Sequence, residues 1–109
     1  MGRRPRSEPV SADLDPRVTS YLRDVLARHP CVESAVLFGS RVKGTARPSS
    51  DVDLALAGRV SPLELARIAG ELEDLPLPLR FDVHALERLT HEGLLDHIAR
   101  VGVRVYARA

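Results

Sequence analysis

Asp51 and Asp53 are the residues most suited to chemistry in this chain. On an extended strand, residues two apart leave the same face, so both carboxylates would stand side by side. Like charges held that close repel unless a cation sits between them. Oxygen ligands suit Mg²⁺ or Mn²⁺, ions that also take up substrate phosphates. Taken alone, the pair reads better as solvated acids at the start of a strand. A third acid, Asp82, lies in Arg80-Phe81-Asp82-Val83-His84. Phe81 and Val83 would face a core there, which leaves Asp82 and His84 on the other face. If that strand lies beside the first, Asp82 completes a three-carboxylate cluster. Three acids can hold two ions about 3.5–4 Å apart, the clamp used for in-line displacement at phosphorus. One ion would acidify an acceptor hydroxyl, and the other would bind a triphosphate and help pyrophosphate leave. Asp82 could take the acceptor's proton.

Upstream, Gly39-Ser40 closes an apolar run. A glycine at the end of a buried strand, with a hydroxyl opening the next segment, offers free backbone N–H groups to a phosphate. The missing side chain lets that phosphate approach closely. Gly-Ser is also an ordinary turn. Gly39 and Gly44 have the spacing of a P-loop, but Thr45 stands where its lysine must be, and Pro48 would break its helix. A P-loop is therefore rejected. Arg41 and Lys43 follow the turn, and alternate residues of a short helix do not share a face. Arg41 is the better candidate to meet phosphate.

Several elements must position these groups. Asp15-Pro16 predicts a helix start. Val18, Tyr21, Leu22, Val25 and Leu26 supply its apolar stripe, and Pro30 ends it. Tyr21 and Tyr106 are expected in the core with a wet hydroxyl. Val32 to Phe38 reads as a strand covered on both faces. Ser40 to Thr45 has room for one or two helical turns. Asp51 to Leu56 alternates as a second strand. Ser61-Pro62 caps a helix carrying Leu65, Ile68, Ala69 and Leu72. Arg80 to Leu86 is a third strand. Thr90 is expected to cap a third helix with Leu94, Leu95, Ile98 and Val101. Gly102 ends it, and Val103 to Tyr106 is a last short strand. The order predicts a small mixed sheet covered by helices.

Composition bounds the function. The chain has 109 residues, 44% hydrophobic and 28% charged, enough for one domain. A formal charge of +1 argues against strong nucleic-acid binding by the chain itself. One cysteine, Cys31, excludes an internal disulfide framework and a cysteine-based zinc site. No apolar stretch approaches the roughly 20 residues of a membrane span, and no secretory leader is evident, so a cytoplasmic location is the expectation. Residues 1–12, with Arg3, Arg4 and Arg6 and two prolines, read as a disordered basic arm.

Together, the motif residues resemble the signature of the polymerase-beta-like nucleotidyltransferase superfamily. Its pattern is G-S, ten residues, then D-x-D, met here by Gly39, Ser40, Asp51 and Asp53. The fuller form G-S-R-x-x-G-x-x-x-x-x-S-D-x-D-L is matched also at Arg41, Gly44, Ser50 and Leu54. Four such residues would coincide by chance roughly once in 10⁵ starting points at average composition. Ile98, Gly102 and Tyr106 fit the I-x-x-x-G-x-x-x-Y close of the minimal nucleotidyltransferase (MNT) family. The resemblance covers residues 14–106 and implies a polymerase-beta-like α/β (α+β) fold, with a nucleotidyltransferase domain over 13–109. It implies Gly39, Ser40, Arg41 and Ser50 as nucleotide-binding residues. Asp51, Asp53 and Asp82 become catalytic metal ligands for Mg²⁺, two ions or Mn²⁺ in their place, with ATP as substrate. Many MNT proteins resemble antitoxins paired with a helical HEPN toxin, and some transfer AMP from ATP to a tyrosine of that toxin, in the manner of a type VII toxin–antitoxin pair.

Size agrees with that direction, since about 95 ordered residues leave little beyond a catalytic sheet to select an acceptor. Two other readings compete. A non-catalytic antitoxin would mask its toxin by binding, but would have no need of three mutually repelling acids. A transferase acting on a small molecule or an RNA end would need a pocket or a basic groove that the sequence does not display.

Overall fold

Two of the three helices among the described residues begin as their first residues dictate. In the computed structural model, which describes residues 15–39 and 51–108, Asp15 accepts a hydrogen bond from the Arg17 N–H at 2.8 Å, and Pro16 opens α1 (Pro16–Ala27). Proline costs nothing there, because the first N–H of a helix has no partner to lose. Ser61 accepts from the Glu64 N–H at 3.1 Å, and Pro62 opens α2 (Pro62–Glu73). The third helix, α3 (Glu92–Val101), departs from expectation. Its cap is His91 rather than Thr90: the imidazole Nδ1 accepts from the Leu94 N–H at 3.0 Å. Gly93 leaves room for that ring, since a Cβ there would lie 3.1 Å from His91 Cε1.

The strands are β1 (Val32–Phe38), β2 (Val52–Gly58), β3 (Phe81–Ala85) and β4 (Val103–Ala107), with a short 3-10 turn at Leu86–Arg88. They form one mixed sheet in the order β3-β2-β1-β4. β1 runs antiparallel to both β2 and β4, and β2 runs parallel to β3. α2 supplies the crossover that a parallel pair requires. Residues 1–12 and the segment Ser40 to Thr45 lie outside the described residues.

Period two divides the sheet into two faces. Ala35, Leu37, Val52, Leu54, Leu56 and Phe81 pack with α1 and α2 in the main core. Phe38 and Ala55 pack with Ile98 of α3 in a smaller core on the other side. β1 is thus covered on both faces, as its apolar run predicts. In α1, Val18, Leu22, Val25 and Leu26 are buried, while Tyr21 stays 37% exposed at the margin of the stripe. Tyr106 is half-buried against the main core. Gly102 ends α3 by close approach rather than by a left-handed backbone: its φ is −63°, and a Cβ would run into the Ile98 carbonyl and the Val36 side chain.

His29, only 6% exposed, is the one buried polar residue among those described. Its Nδ1 meets Glu64, and its Nε2 meets Glu71 at 3.1 Å, so it ties the end of α1 to α2. Burial lowers its proton affinity, but the hydrogen bonds to Glu64 and then Glu71, helped by both charges, outweigh burial and raise its pKa above the usual 6.5. Both ring nitrogens can donate only in the imidazolium form. The stabilisation is therefore complete below the unfolded value of about 6.5 and is lost as pH rises through the raised folded value. Urea midpoints measured across pH should show wild type well above His29→Gln at pH 6, with the gap closing on the alkaline side. A gap that widens with pH would refute the arrangement.

Candidate active site

The register of the sheet sets the site. Phe38 of β1 lies opposite Asp53 of β2, and Asp53 lies beside Asp82 of β3. The next row on the same face is Val36, Ala55 and His84. Apolar residues fill one end of this face under α3, and carboxylates occupy the other. Asp53 is half-buried, whereas Asp51 and Asp82 are exposed. Asp51 stands immediately before β2 rather than within it. The Val52 N–H donates to the Arg80 carbonyl at 2.8 Å, which ties this end of β2 to the approach to β3.

Burial, followed by the charges of Asp82 and Asp51, pushes the Asp53 carboxyl above the usual carboxylate range, with His84 pulling weakly the other way. Asp53 therefore feels the charges of both other sequence-predicted acids. The three do not converge on a common point: among the described residues, no group of three or more His, Cys, Asp or Glu side chains could hold a metal ion. The backbone fixes Asp53 and Asp82 on one face, and the exposed side chains of Asp51 and Asp82 are free to turn. Carboxylate oxygens are the ligand type that a divalent cation such as Mg²⁺ takes. His84 Nε2 lies 3.4 Å from Asp82 Oδ2.

Gly39 ends β1 beside these acids with φ +84°, a conformation that L side chains rarely adopt. A Cβ on Gly39 would collide with Asp53 Oδ2, so the absent side chain is what lets the turn pass the carboxylate. Its N–H is not free, contrary to expectation: it donates to His97 Nε2 of α3 at 3.3 Å. His97 also meets Phe38 edge-on, with ring centroids 6.3 Å apart, and His84 meets the same ring at 5.9 Å. Neither the spacing of His97 nor its neighbours in sequence marks it, because its contact with Gly39 spans 58 positions. Ser40, Arg41 and Ser50 lie outside the described residues. A surface groove of about 580 Å³ between α1 and β4, lined by Arg23, Asp24, Arg104 and Tyr106 among others, contains none of the acids. No described helix is long and apolar enough to cross a membrane.

The family model described as polymerase beta, nucleotidyltransferase matches residues 21–109. No curated protein matches the chain in sequence. Among solved structures, the fold resembles a chain of a toxin–antitoxin crystal structure with AMP-PNP, at a TM-score of 0.70 and 20% identity, over 83% of this chain and 73% of that one. It also resembles a chain of the toxin–antitoxin MntA–HepT, at a TM-score of 0.66 and 16% identity, over 86% and 74%. A third likeness is to a complex of tri-AMPylated Shewanella oneidensis HEPN toxin with MNT antitoxin, at a TM-score of 0.59 and 20% identity, over 84% and 68%. At these identities the likeness concerns the fold, and it agrees with the expected polymerase-beta-like architecture.

Two outcomes follow from this geometry. Because the raised pKa of Asp53 makes its ionised form costly in the folded state, Asp53→Asn should melt higher than wild type at neutral pH in EDTA. That advantage should fade as pH falls through the carboxylate range, where Asp53 is protonated anyway; a lower melting point at neutral pH would contradict it. Gly39→Ala should lose about 1–3 kcal/mol of stability in urea titrations through its backbone alone, and the crowding of Asp53 adds to that.

Proposed function

The chain belongs to the polymerase beta nucleotidyltransferase family, and from that premise we propose that it is a Mg²⁺-dependent transferase that moves AMP from ATP to a tyrosine hydroxyl of a HEPN-type partner, as the antitoxin of a toxin–antitoxin pair. The observation that carries the reading is the in-register pair Asp53 and Asp82, with Gly39 folded over Asp53. The relatives in fold support the rest: one was solved with AMP-PNP, and another is an MNT antitoxin in complex with a tri-AMPylated HEPN toxin.

In this reading, Asp51, Asp53 and Asp82 hold the metal, and Gly39, Ser40, Arg41 and Ser50 receive the nucleotide. Bound Mg²⁺ supplies positive charge against the triphosphate and lowers the pKa of the acceptor hydroxyl. The acceptor oxygen attacks the α-phosphorus in line, and a new P–O bond forms. The bond from the α-phosphorus to the bridging oxygen breaks, and pyrophosphate leaves with the electron pair. Asp82, exposed on the edge strand β3, receives the acceptor's proton. Half-buried Asp53 stays at the centre of the row, where a change in its charge would be felt by both neighbours. Modification of a tyrosine by AMP adds bulk and negative charge to the partner, which accounts for neutralisation of a toxin by chemistry rather than by occupancy.

A transfer assay tests this directly. The full chain would be incubated with Mg²⁺, each α-labelled NTP and the HEPN partner, beside an Asp51→Ala/Asp53→Ala double variant. Label should pass to the partner from ATP and fall by at least about 10²-fold in the variant, the scale lost when one charge-stabilising donor is removed from an active site. Tight partner binding by both proteins, with no label from any nucleotide, would replace the transferase with a masking protein.

A further inference from the structure

The two edges of the sheet are finished differently. β4 forms one edge. Its Val105 has no partner in β1, because the register steps there from Arg104 to Tyr106, and the Val105 carbonyl accepts from Arg23 Nε of α1 at 3.1 Å. A bulge and a charged side chain both blunt an edge against a further strand. β3 forms the other edge. The Val52 N–H donates to the Arg80 carbonyl, which sets the direction of every peptide group in this parallel ladder. Those of Asp82 and His84 face β2, and those of Phe81, Val83 and Ala85 face outward. Glu73 accepts from the Phe81 N–H at 3.4 Å and so occupies the first outward position. Beyond it, no described residue pairs with the N–H or the C=O of Val83. The unguarded stretch of edge thus lies between Asp82 and His84, beside the carboxylates.

We propose that the acceptor segment of the partner adds to β3 as a further strand, pairing with the Val83 N–H and C=O, and so brings its tyrosine onto the carboxylate face beside Asp82. This rests on the transferase reading and names how its protein substrate is held. Phe38, Asp53 and Asp82 form one row across β1, β2 and β3. The next place in that row, about 4.8 Å further out, is the one an added strand fills. A side chain leaving it on the same face stands beside Asp82, whose own side chain is 58% exposed. Cross-strand neighbours on one face are within reach of an aromatic side chain. Asp82 receives the acceptor's proton in the proposed reaction, so the edge delivers the hydroxyl where it is used. The occupant is an extended segment, since a helix spends its peptide groups internally and has none to offer Val83. Main-chain bonds then supply affinity, and alternate side chains supply specificity.

Amide hydrogen exchange of the full chain, read by NMR with and without the full HEPN partner, separates docking from chemistry. In the free chain the Val83 amide should exchange readily, while those of Asp82 and His84, bonded to β2, stay protected. Saturating partner should slow Val83 by about three- to tenfold or more, the scale of one hydrogen bond. A Val83 amide already protected in the free chain, or unchanged by the partner, overturns the proposal. Val83→Pro removes the outward donor and spares the bonds to β2, as proline on an edge strand does. It should raise KM for the partner about three- to tenfold and leave KM for MgATP within about twofold. Equal effects on the two constants would mark a general loss of structure and count against docking here. Should that variant not fold, the exchange pattern of wild type still decides. If wild type labels the partner from ATP while Val83 stays unprotected, the transferase stands and docking at this edge falls. If Val83 becomes protected but no nucleotide gives label, the transferase reading falls, and the edge holds a partner without being an acceptor site.

Discussion

β2 is an interior strand whose two faces have opposite chemistry, and the rest of the molecule is arranged around that constraint. Val52, Leu54 and Leu56 must enter the main core, which forces Asp53 and Ala55 to the other side. A slip of one residue would bury Asp53 under α1 and α2 and expose three large apolar side chains, so the register is held by the whole hydrophobic term. The neighbours read that register in turn. Phe38 and Asp82 are placed beside Asp53 by backbone pairing, with no contact among the side chains required. Ala55, with no exposed surface, supplies the low ground on which α3 can settle.

The two charged clusters obey opposite rules. Around His29, a cation lies between two carboxylates, Arg28 adds a further positive charge 3.4 Å from Glu71, and the group is close to self-neutral. His29 itself can be buried because its ring is hydrogen-bonded to both carboxylates. Around Asp53, three carboxylates share a neighbourhood that, among the described residues, His84 alone relieves. A stable fold gains nothing from such a set, and proteins retain features of this kind where a ligand rather than the fold uses them. The contrast is between a cluster whose charges are paired and one whose charges oppose each other.

Much of this was legible in the sequence, for identifiable reasons. The stretch from Val32 to Phe38 is a strand as read, because its apolar run and the Gly39 break are local signals. Asp15-Pro16 and Ser61-Pro62 announce helices through chemistry confined to four residues. Asp53 and Asp82 meet because two alternating strands were joined by one crossover helix. What escaped was mostly non-local. His97 reaches Gly39, and His29 reaches Glu64 and Glu71, across spans over which periodicity says which face a residue takes but not what it meets there. The cap of α3 escaped for a different reason. Thr90 has the commoner capping side chain, but the His91 ring lies one position nearer the helix and finds open space over Gly93.

The strand order has a consequence for how the protein comes into being. β1, whose end carries Gly39, is flanked by β2 on one side and by β4 on the other. β4 is the final element of the sheet, and its Ala107 pairs with Ser34 near the start of β1. Until the ribosome has released that stretch, β1 has an open edge, and Val105 is missing from the main core. α3, which carries His97, also emerges only shortly before. Loop closure over so long a span is slow compared with local helix formation. The carboxylate row can therefore pair early, through β1, β2 and β3, while the Gly39 contact forms only once α3 has emerged. A nascent chain would align its acids well before α3 and β4 complete the fold around them.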